Sequence, residues 1–191
     1  RGTSATYGYN NRHLVTGITY AVPQGSNIPA TPNVTFAYDA AENRTSMTDG
    51  LGNVTYNYSE LSRMTSETRT FTNVGSFTLN YDYNLGGELK KITDATNTTI
   101  NYGFNSIGRL ISVTGSDNLV GGLSNYSSGF AYRAWGALKQ VSIGGSQTSL
   151  ATYNSRLQPI NFNISGGVAD QNYDYSNDGR LSFAHDTTNI N

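Results

Sequence analysis

The sequence contains no cysteine, so neither a disulfide framework nor a thiolate metal site is available to it. It has no run of about 18 apolar residues, which argues against a membrane-spanning helix. Charged residues make up only 13% of the chain, and the net charge is −1. This balance offers no basic surface for nucleic acid or anionic membranes. It also leaves little electrostatic repulsion against self-association.

Helical signals and leader signals are missing as well. No window combines apolar residues at a helical spacing of about 3.6 with a capping residue. The chain does not begin with Met, and no charged segment followed by an apolar stretch opens it. Three of its four prolines lie between residues 21 and 33, which we predict to be a loop outside the sheet. A Gly/Ser-rich stretch, residues 116–129, predicts a second loop.

What the chain has instead is a recurring hairpin pattern, which is clearest in residues 101–114. Tyr102 and Phe104 are two residues apart, so they point to the same face of a β-strand. Gly108 lies in the polar reversal that follows, and Arg109 opens an extended run rich in β-branched residues. Together these features predict a β-hairpin.

This hairpin defines a repeat numbering in which the second aromatic residue is position 0 and the first is position −2. Apolar residues follow at positions +6 and +9. The two aromatic positions recur in seven copies: Tyr7 and Tyr9, Phe36 and Tyr38, Tyr56 and Tyr58, Tyr81 and Tyr83, Tyr102 and Phe104, Phe130 and Tyr132, Tyr173 and Tyr175. Another copy, starting at Tyr153, is expected to have a shorter turn and to fall outside this numbering. Of the 14 Tyr and 7 Phe residues, two thirds occupy the two positions, which chance does not explain.

The spacing of the apolar positions conflicts with a regular strand. Positions +6 and +9 are three residues apart, so they cannot share one face of an unbroken strand. Either a β-bulge intervenes or both faces are partly buried, and the sequence leaves both alternatives open. A bulge would add twist and bend to the sheet.

These residues resemble the YD repeat, also called the RHS repeat, whose pattern is Tyr-Asp-x-x-Gly-Arg-Leu followed by Thr-x-x-x-Gly. The best copies begin at Tyr83, Phe104 and Tyr175; in the last two, Gly108, Arg109 and Leu110 correspond to Gly179, Arg180 and Leu181. Residues 43–49 are another variant of the pattern. The resemblance covers nearly the whole chain, and its specificity comes from the repetition.

The resemblance implies an all-β fold of tandem antiparallel β-hairpins that form a curved, spiralling strip of sheet. Members of the family build hollow shells in bacterial toxin complexes, polymorphic toxins and wall-associated proteins, and they include the animal teneurins. We therefore expect residues 1–191 to be a single repeat region of about eight hairpins, and a fragment of a longer chain.

The expected function is structural. We expect a secreted, extracellular or cell-surface bacterial protein that forms either the wall of a β-shell enclosing a toxin domain or a surface fibre. Its partners would be flanking repeats of the same chain, or further copies in a fibre or tube, and an enclosed toxin domain. The alternative is an adhesion module that binds glycans through exposed Tyr and Asn. Neither a nucleic-acid partner nor a membrane span is expected.

Catalytic, cofactor and metal sites are not expected, and neither is enzyme activity. The carboxylates lie in turns of different repeats, whereas glycoside hydrolysis needs two of them about 5–9.5 Å apart. His13 and His185 stand alone, and no serine has the setting of a nucleophile elbow. Calcium is conceivable at residues 174–178, although the distal Glu of a full calcium loop is absent.

Two recurring residue types and one motif remain open to a binding role. The aromatic pairs are expected to form a cross-strand ladder rather than a sugar platform. The recurring arginines are expected to pair with turn carbonyls or nearby aspartates rather than with an anionic partner; they are Arg44, Arg63, Arg109, Arg156 and Arg180. Seven Asn-x-Ser/Thr triplets would be glycan acceptors in a eukaryotic secreted chain, although the Asn- and Thr-rich composition also produces them; they are at Asn33, Asn43, Asn53, Asn57, Asn97, Asn125 and Asn163.

Overall fold

The computed structural model describes residues 2–116 and 124–188, and these residues form β-strands and turns without a helix. No helix long and apolar enough to span a membrane occurs in those ranges. The sixteen strands are β1 (Ser4–Tyr9), β2 (Val15–Ala21), β3 (Val34–Tyr38), β4 (Arg44–Asp49), β5 (Gly52–Tyr58), β6 (Met64–Phe71), β7 (Gly75–Tyr83), β8 (Leu89–Thr93), β9 (Thr99–Phe104), β10 (Leu110–Gly115), β11 (Asn125–Tyr132), β12 (Leu138–Ile143), β13 (Gln147–Tyr153), β14 (Pro159–Ile164), β15 (Ala169–Tyr175) and β16 (Leu181–Asp186).

The strands follow one another in the sheet in their sequence order, from β1 to β16. Two compact units divide the chain: Arg1–Asp82 with Ile92–Asn97, and Tyr83–Lys91 with Thr98–Asn191. In the first unit β1 to β7 pair antiparallel with their neighbours. In the second unit β9 to β16 do the same. The predicted all-β fold of tandem antiparallel hairpins is confirmed.

One of the two predicted loops has the expected bounds. The proline-rich loop lies between the end of β2 at Ala21 and the start of β3 at Val34. The second prediction, a loop over residues 116–129, is wrong at its C-terminal end because β11 begins at Asn125. Ser127 and Ser128 pair with β12, since ladder hydrogen bonds use the backbone and tolerate small polar side chains. Residues 117–123 of that prediction lie outside the described part of the chain.

A β-bulge resolves the spacing conflict between positions +6 and +9. In the second hairpin Tyr38 at position 0 pairs with Arg44 at +6, but Phe36 at −2 pairs with Met47 at +9. One extra residue, at position +7, is therefore accommodated on the returning strand. The same register shift beside position 0 occurs in seven of the eight hairpins, those with position 0 at Tyr9, Tyr38, Tyr58, Phe104, Tyr132, Tyr153 and Tyr175.

The bulge places positions −2, 0, +6 and +9 on one face, which we call the aromatic face. In β5 its residues Val54, Tyr56 and Tyr58 are buried or half-buried, whereas the alternating Thr55 and Asn57 are exposed. Two of the few side chains that are buried among the described residues, Val141 and Ser149, pair across β12 and β13 on this same face.

No large side chain in the described part of the chain is fully buried. Tyr81, Tyr83, Tyr102 and Phe104, which belong to the predicted aromatic positions, are each half-buried. Ladder hydrogen bonds and cross-strand side-chain pairs, which contribute about 0.2–1 kcal/mol each, therefore carry much of the stability.

Candidate functional site: the hairpin turns and the aromatic face

The eight hairpin turns share one backbone geometry. In the fifth hairpin the Asn105 N–H donates to the Arg109 carbonyl at 2.9 Å, and the Gly108 N–H donates to the Asn105 carbonyl at 3.0 Å. The equivalent two bonds are present in the other seven turns, which lie at residues 10–14, 39–43, 59–63, 84–88, 133–137, 154–158 and 176–180. This arrangement is a type I turn followed by one left-handed residue.

The left-handed residue occupies position +4 and explains the glycine of the motif. Its φ is 74° at Gly108 and 88° at Gly179, a region that glycine adopts without steric cost. In four turns a residue with a side chain is held there instead: His13, Glu42, Ser62 and Leu157. These four positions carry backbone strain, because an L-residue in the left-handed region costs roughly 1–2 kcal/mol.

The side chain at position +1 caps the turn from inside. The Asn105 carboxamide oxygen accepts from the N–H of Ile107 at 3.1 Å and from the N–H of Arg109 at 2.9 Å. Asn10, Ser59 and Asn154 accept from the same two positions of their own turns. The sequence carries the signal for this cap, since seven of the eight turns have Asn, Asp or Ser at +1, but the hairpin interpretation alone did not identify it.

In four hairpins the tyrosine at position 0 is hydrogen-bonded to the preceding hairpin. Tyr38 donates its hydroxyl to the Val15 carbonyl at 2.8 Å. The same bond runs from position 0 to the +6 carbonyl of the preceding hairpin in three more places: Tyr58 to Arg44 at 2.9 Å, Tyr132 to Leu110 at 2.7 Å, and Tyr153 to Leu138 at 2.8 Å. We call these four contacts the junction bonds.

Each junction bond lies where the strand ladder between two hairpins has ended. The β12–β13 ladder runs from Ile143 paired with Gln147 to Gln140 paired with Leu150. Leu138 and Tyr153 lie beyond it, and the phenol bridges the gap that remains. Four tyrosines of the aromatic face thus half-bury the ring and use the hydroxyl as a hydrogen-bond donor, as buried tyrosines commonly do.

The copy at Tyr153 has the same length as the others, so the prediction that its turn is shorter was wrong. Tyr153 pairs with Pro159 at +6, and the Leu157 N–H donates to the Asn154 carbonyl as in every other turn. Pro159 is the first residue of β14.

This copy does not show the aromatic pair in its sequence, because the ring and the small side chain of positions −2 and +9 are interchanged. Position −2 is Ala151, and its cross-strand partner at +9 is Phe162. In the last hairpin the order is reversed, with Tyr173 at −2 and Ala184 at +9. A large ring and a small side chain therefore face each other in both hairpins, on opposite strands.

The structure places the predicted repeat residues on this framework. The aromatic residues at −2 and 0 lie on strands and are half-buried, except in the first hairpin, where Tyr7 is 52% and Tyr9 is 59% exposed. Gly108 and Gly179 occupy position +4, and Leu110 pairs with Phe104. Leu181 pairs with Tyr175 in the same way but is 54% exposed.

The recurring arginines divide into two groups. Arg180 pairs with Asp178 at 3.2 Å, and Arg156 donates to the Asn177 carbonyl at 2.7 Å, as expected for contacts with turns. Arg44 instead stacks on the Phe36 ring at 4.7 Å, and Arg109 on the Tyr132 ring at 5.4 Å. These guanidinium groups interact with the ring faces through cation–π attraction.

Hydrogen bonds hold several carboxylates in their charged form. The Asn43 side chain lowers the pKa of Asp39 below its ordinary value, and the Arg69 guanidinium does the same for Asp49. The Arg69–Asp49 pair has a separation of 2.7 Å and is mostly shielded from water. Desolvation by its surroundings raises the pKa of Tyr58.

The remaining candidate sites are occupied by internal contacts. Asp178, in the stretch considered for calcium, is bound by Ser176 and Arg180. Within residues 2–116 and 124–188 no group of three or more His, Asp or Glu side chains could hold a metal ion. An open groove of about 340 Å³ between the first two turns is lined in part by Asn10 and Tyr38, whose polar atoms already serve the turn cap and the junction bond.

Comparisons with known proteins point to one kind of structure. No protein-family model and no curated protein matches the chain. The crystal structure of TcdB2-TccC3-Cdc42 matches 98% of the chain with a TM-score of 0.72 at 13% identity. The crystal structure of TcdB2-TccC3 matches 97% with a TM-score of 0.71 at 12% identity. The structure of the Photorhabdus luminescens Tc holotoxin pore matches 97% with a TM-score of 0.68 at 12% identity.

The chain spans about 10% of the length of these toxin chains. Those chains contain RHS/YD-repeat shells, so the resemblance found in the sequence is confirmed at the level of the fold.

Proposed function

We propose that the chain is an arc of the wall of a hollow β-shell that encloses a toxin segment of a longer polypeptide. The observation that carries this proposal is the recurring junction bond between position 0 and the +6 carbonyl of the preceding hairpin. It fixes four of the hairpins against the preceding one in the same way, and a regular attachment of this kind is what a continuous wall requires. The fold shared with TccC3-containing toxin chains supports the same assignment.

The β-bulge in seven of the eight hairpins supports a curved shell wall over a flat fibre. A β-bulge bends its strand and increases the local twist, and bulges at regular intervals are a device for building curved sheets. Here the extra residue recurs at position +7 of one hairpin after another, so the bending adds up along the chain.

The role we propose for the aromatic face is structural and not catalytic. Its rings form cross-strand pairs and junction bonds, and the charged groups beside them contact rings and tyrosine hydroxyls. We further propose a secreted location, on the outside of the cell or on its surface, which agrees with the absence of cysteine and the low charge. Self-association into a fibre is the second candidate, because β1 and β16 end the strand order and each has an edge available for pairing.

Limited proteolysis of the complete polypeptide, as expressed from its gene, tests the proposal. We expect a segment outside the repeats to resist protease under native conditions and to be cleaved once the wall is opened by mild denaturant. A variant that lacks two junction bonds, Tyr132→Phe with Tyr153→Phe, should lose protection at lower denaturant concentration. If every segment outside the repeats is cleaved as fast in the native protein as in the opened one, nothing is enclosed and the shell proposal fails.

A further inference from the structure

The sixth turn, residues 133–137, lacks the cap that the turns on either side of it share. Its position +1 is Arg133, whose side chain has donors and no acceptor. In the fifth turn the N–H groups at +3 and +5 donate to Asn105. The equivalent N–H groups here belong to Trp135 and Ala137, and in the part of the chain that the structure describes neither has an acceptor. The turn therefore presents two backbone donors that its neighbours satisfy internally.

Two guanidinium groups converge on this same turn. Arg133 stacks on the Trp135 ring at 5.9 Å and on the Tyr153 ring at 5.8 Å. Arg109 stacks on Tyr132, the residue just before the turn, at 5.4 Å. A side-chain carbon added at Gly136 would lie 3.8 Å from an Arg109 terminal nitrogen, so that guanidinium reaches the turn itself.

Neither arginine has a carboxylate partner within 4 Å among the described residues. Elsewhere the arginines do: Arg69 pairs with Asp49 at 2.7 Å, and Arg180 with Asp178 at 3.2 Å. The Arg133 Nε is buried, and it makes no hydrogen bond within the described ranges. A buried donor without an acceptor is costly, and an arginine fork is suited to bidentate binding of a carboxylate. The positive charges of Arg109 and Arg133 are thus not balanced by a carboxylate among the described residues, and the terminal nitrogens of each fork are the atoms suited to an external anion.

We propose that the turn Arg133–Gly136, with Arg109, binds the carboxylate of an acidic sugar such as a hexuronic acid. The carboxylate would accept from the two guanidinium groups and from the backbone N–H groups of Trp135 and Ala137. Trp135 supplies the second half of the site, because its ring is 47% exposed and offers an apolar plate beside the charges. A site made of two guanidinium groups beside one exposed aromatic ring is the size of a single sugar ring that carries a carboxylate, whereas an acidic peptide would need an extended groove.

This site is independent of the shell proposal, since it needs only the fifth to seventh hairpins to be folded. It is also distinct from a general glycan-binding surface of Tyr and Asn, because it depends on one turn that departs from the repeat. The neighbouring turns keep the cap from Asn105 and Asn154, and in the last turn the Asp178 carboxylate accepts from the Arg180 N–H instead.

Trp135 is the only tryptophan in the chain, so its fluorescence reports on the site directly. The titration would use trigalacturonic acid, with a neutral galactose trisaccharide as the matched ligand. We expect the acidic trisaccharide to change the Trp135 emission in a saturable way, and the neutral one to bind at least tenfold more weakly. Binding should weaken with added salt, because charge contributes to it.

Arg133→Asn is the decisive variant, since it restores the usual cap and should keep or raise the melting temperature. We expect it and Arg109→Gln each to weaken binding by about tenfold or more, because each removes a charged hydrogen bond to the carboxylate. Arg156→Gln is the matched control, because Arg156 lies on the next turn and bonds the Asn177 carbonyl; it should bind as the unaltered protein does.

Any of three results would overturn the proposal. The first is equal binding of the acidic and neutral trisaccharides, and the second is undiminished binding by Arg133→Asn. The third is displacement of the acidic trisaccharide by pentaglutamate or inorganic sulfate at an equal or lower concentration, which would show that the turn does not select a sugar.

Discussion

The hydroxyl of Tyr153 donates to the backbone carbonyl of Leu138 across 2.8 Å, and this bond joins the seventh hairpin to the sixth. The bond begins at position 0 and ends at position +6, as do the other three junction bonds. Because the carbonyl lies beyond the end of the β12–β13 ladder, no strand partner competes for it. The side-chain hydrogen bond of Tyr153 thus joins the two hairpins at a point where their strands no longer pair through the backbone.

Removal of this hydroxyl should destabilise the protein without changing its fold. Tyr153→Phe is expected to cost about 1 kcal/mol in free energy of unfolding, the usual net value of one hydrogen bond. Urea denaturation measures this difference. Tyr56→Phe is the control, because Tyr56 is a half-buried position −2 residue whose hydroxyl has no bond in the described ranges; its change should stay below about 0.5 kcal/mol. Equal losses in the two variants would mean that the junction bond contributes nothing.

The pairing of Ala151 with Phe162 predicts a compensating exchange. Phe162→Ala should cost about 2 kcal/mol, roughly half of the ~3–5 kcal/mol typical of a buried Phe→Ala change, because Phe162 is half-buried. The double variant Ala151→Phe with Phe162→Ala recreates the order of the last hairpin, so it should recover at least half of that loss. A double-mutant cycle in urea checks this. If the double variant loses as much free energy of unfolding as the two single variants together, or more, a ring on one strand cannot replace a ring on the other.

The left-handed residue at position +4 predicts substitutions of opposite sign in equivalent turns. Leu157→Gly should stabilise the protein by about 0.5–1 kcal/mol, because it relieves backbone strain of ~1–2 kcal/mol at a cost in chain entropy. Gly179→Ala should destabilise it by about 1 kcal/mol, since the added carbon would sit 3.5 Å from Gln158 without a clash and only the backbone would be strained. Thermal melts of both variants measure the effects. Two changes of the same sign would contradict the shared turn geometry.

The Asp49–Arg69 pair predicts a loss of stability in acid. The folded pKa of Asp49 is lowered from its ordinary value of 3.8 by the hydrogen bond from Arg69 and by the Leu51 N–H. Its contribution is therefore present above the unfolded value and is lost as the pH falls through and below 3.8. Asp49→Asn should reduce the difference in unfolding free energy between pH 7 and pH 3. An unchanged difference would show that the pair does not affect the acid response.

The repeat itself could be predicted from the sequence because its signals are local. Aromatics at −2 and 0 select a strand face, and the glycine at +4 marks a left-handed turn residue, as at Gly108 and Gly179. The bulge was one of two alternatives, and only the pairing of Phe36 with Met47 decides between them. Positions +6 and +9 in the sequence are compatible with either alternative.

Features that join different strands or hairpins were beyond the reach of the sequence. Nothing local in Tyr153 indicates that its hydroxyl bonds a carbonyl fifteen residues earlier. The copy at Tyr153 has Ala151 at position −2, so its sequence lacks the usual aromatic pair. Only the cross-strand pairing shows that Phe162, at position +9 on the opposite strand, supplies the ring. Neither composition nor spacing singles out Arg133. Its importance is visible only when its turn is compared with the equivalent turn of Asn105, whose side chain accepts from two backbone N–H groups.

Single-particle cryo-electron microscopy of the complete polypeptide tests the shell proposal most directly. We expect a closed, hollow β-shell in which β1 to β16 lie in sequence order within the wall, with density for another segment of the chain inside. The junction bonds should appear as phenol rings from one hairpin directed at the carbonyls of the hairpin before. A filament of stacked copies, or a wall with a solvent-filled interior open to the outside, would contradict it.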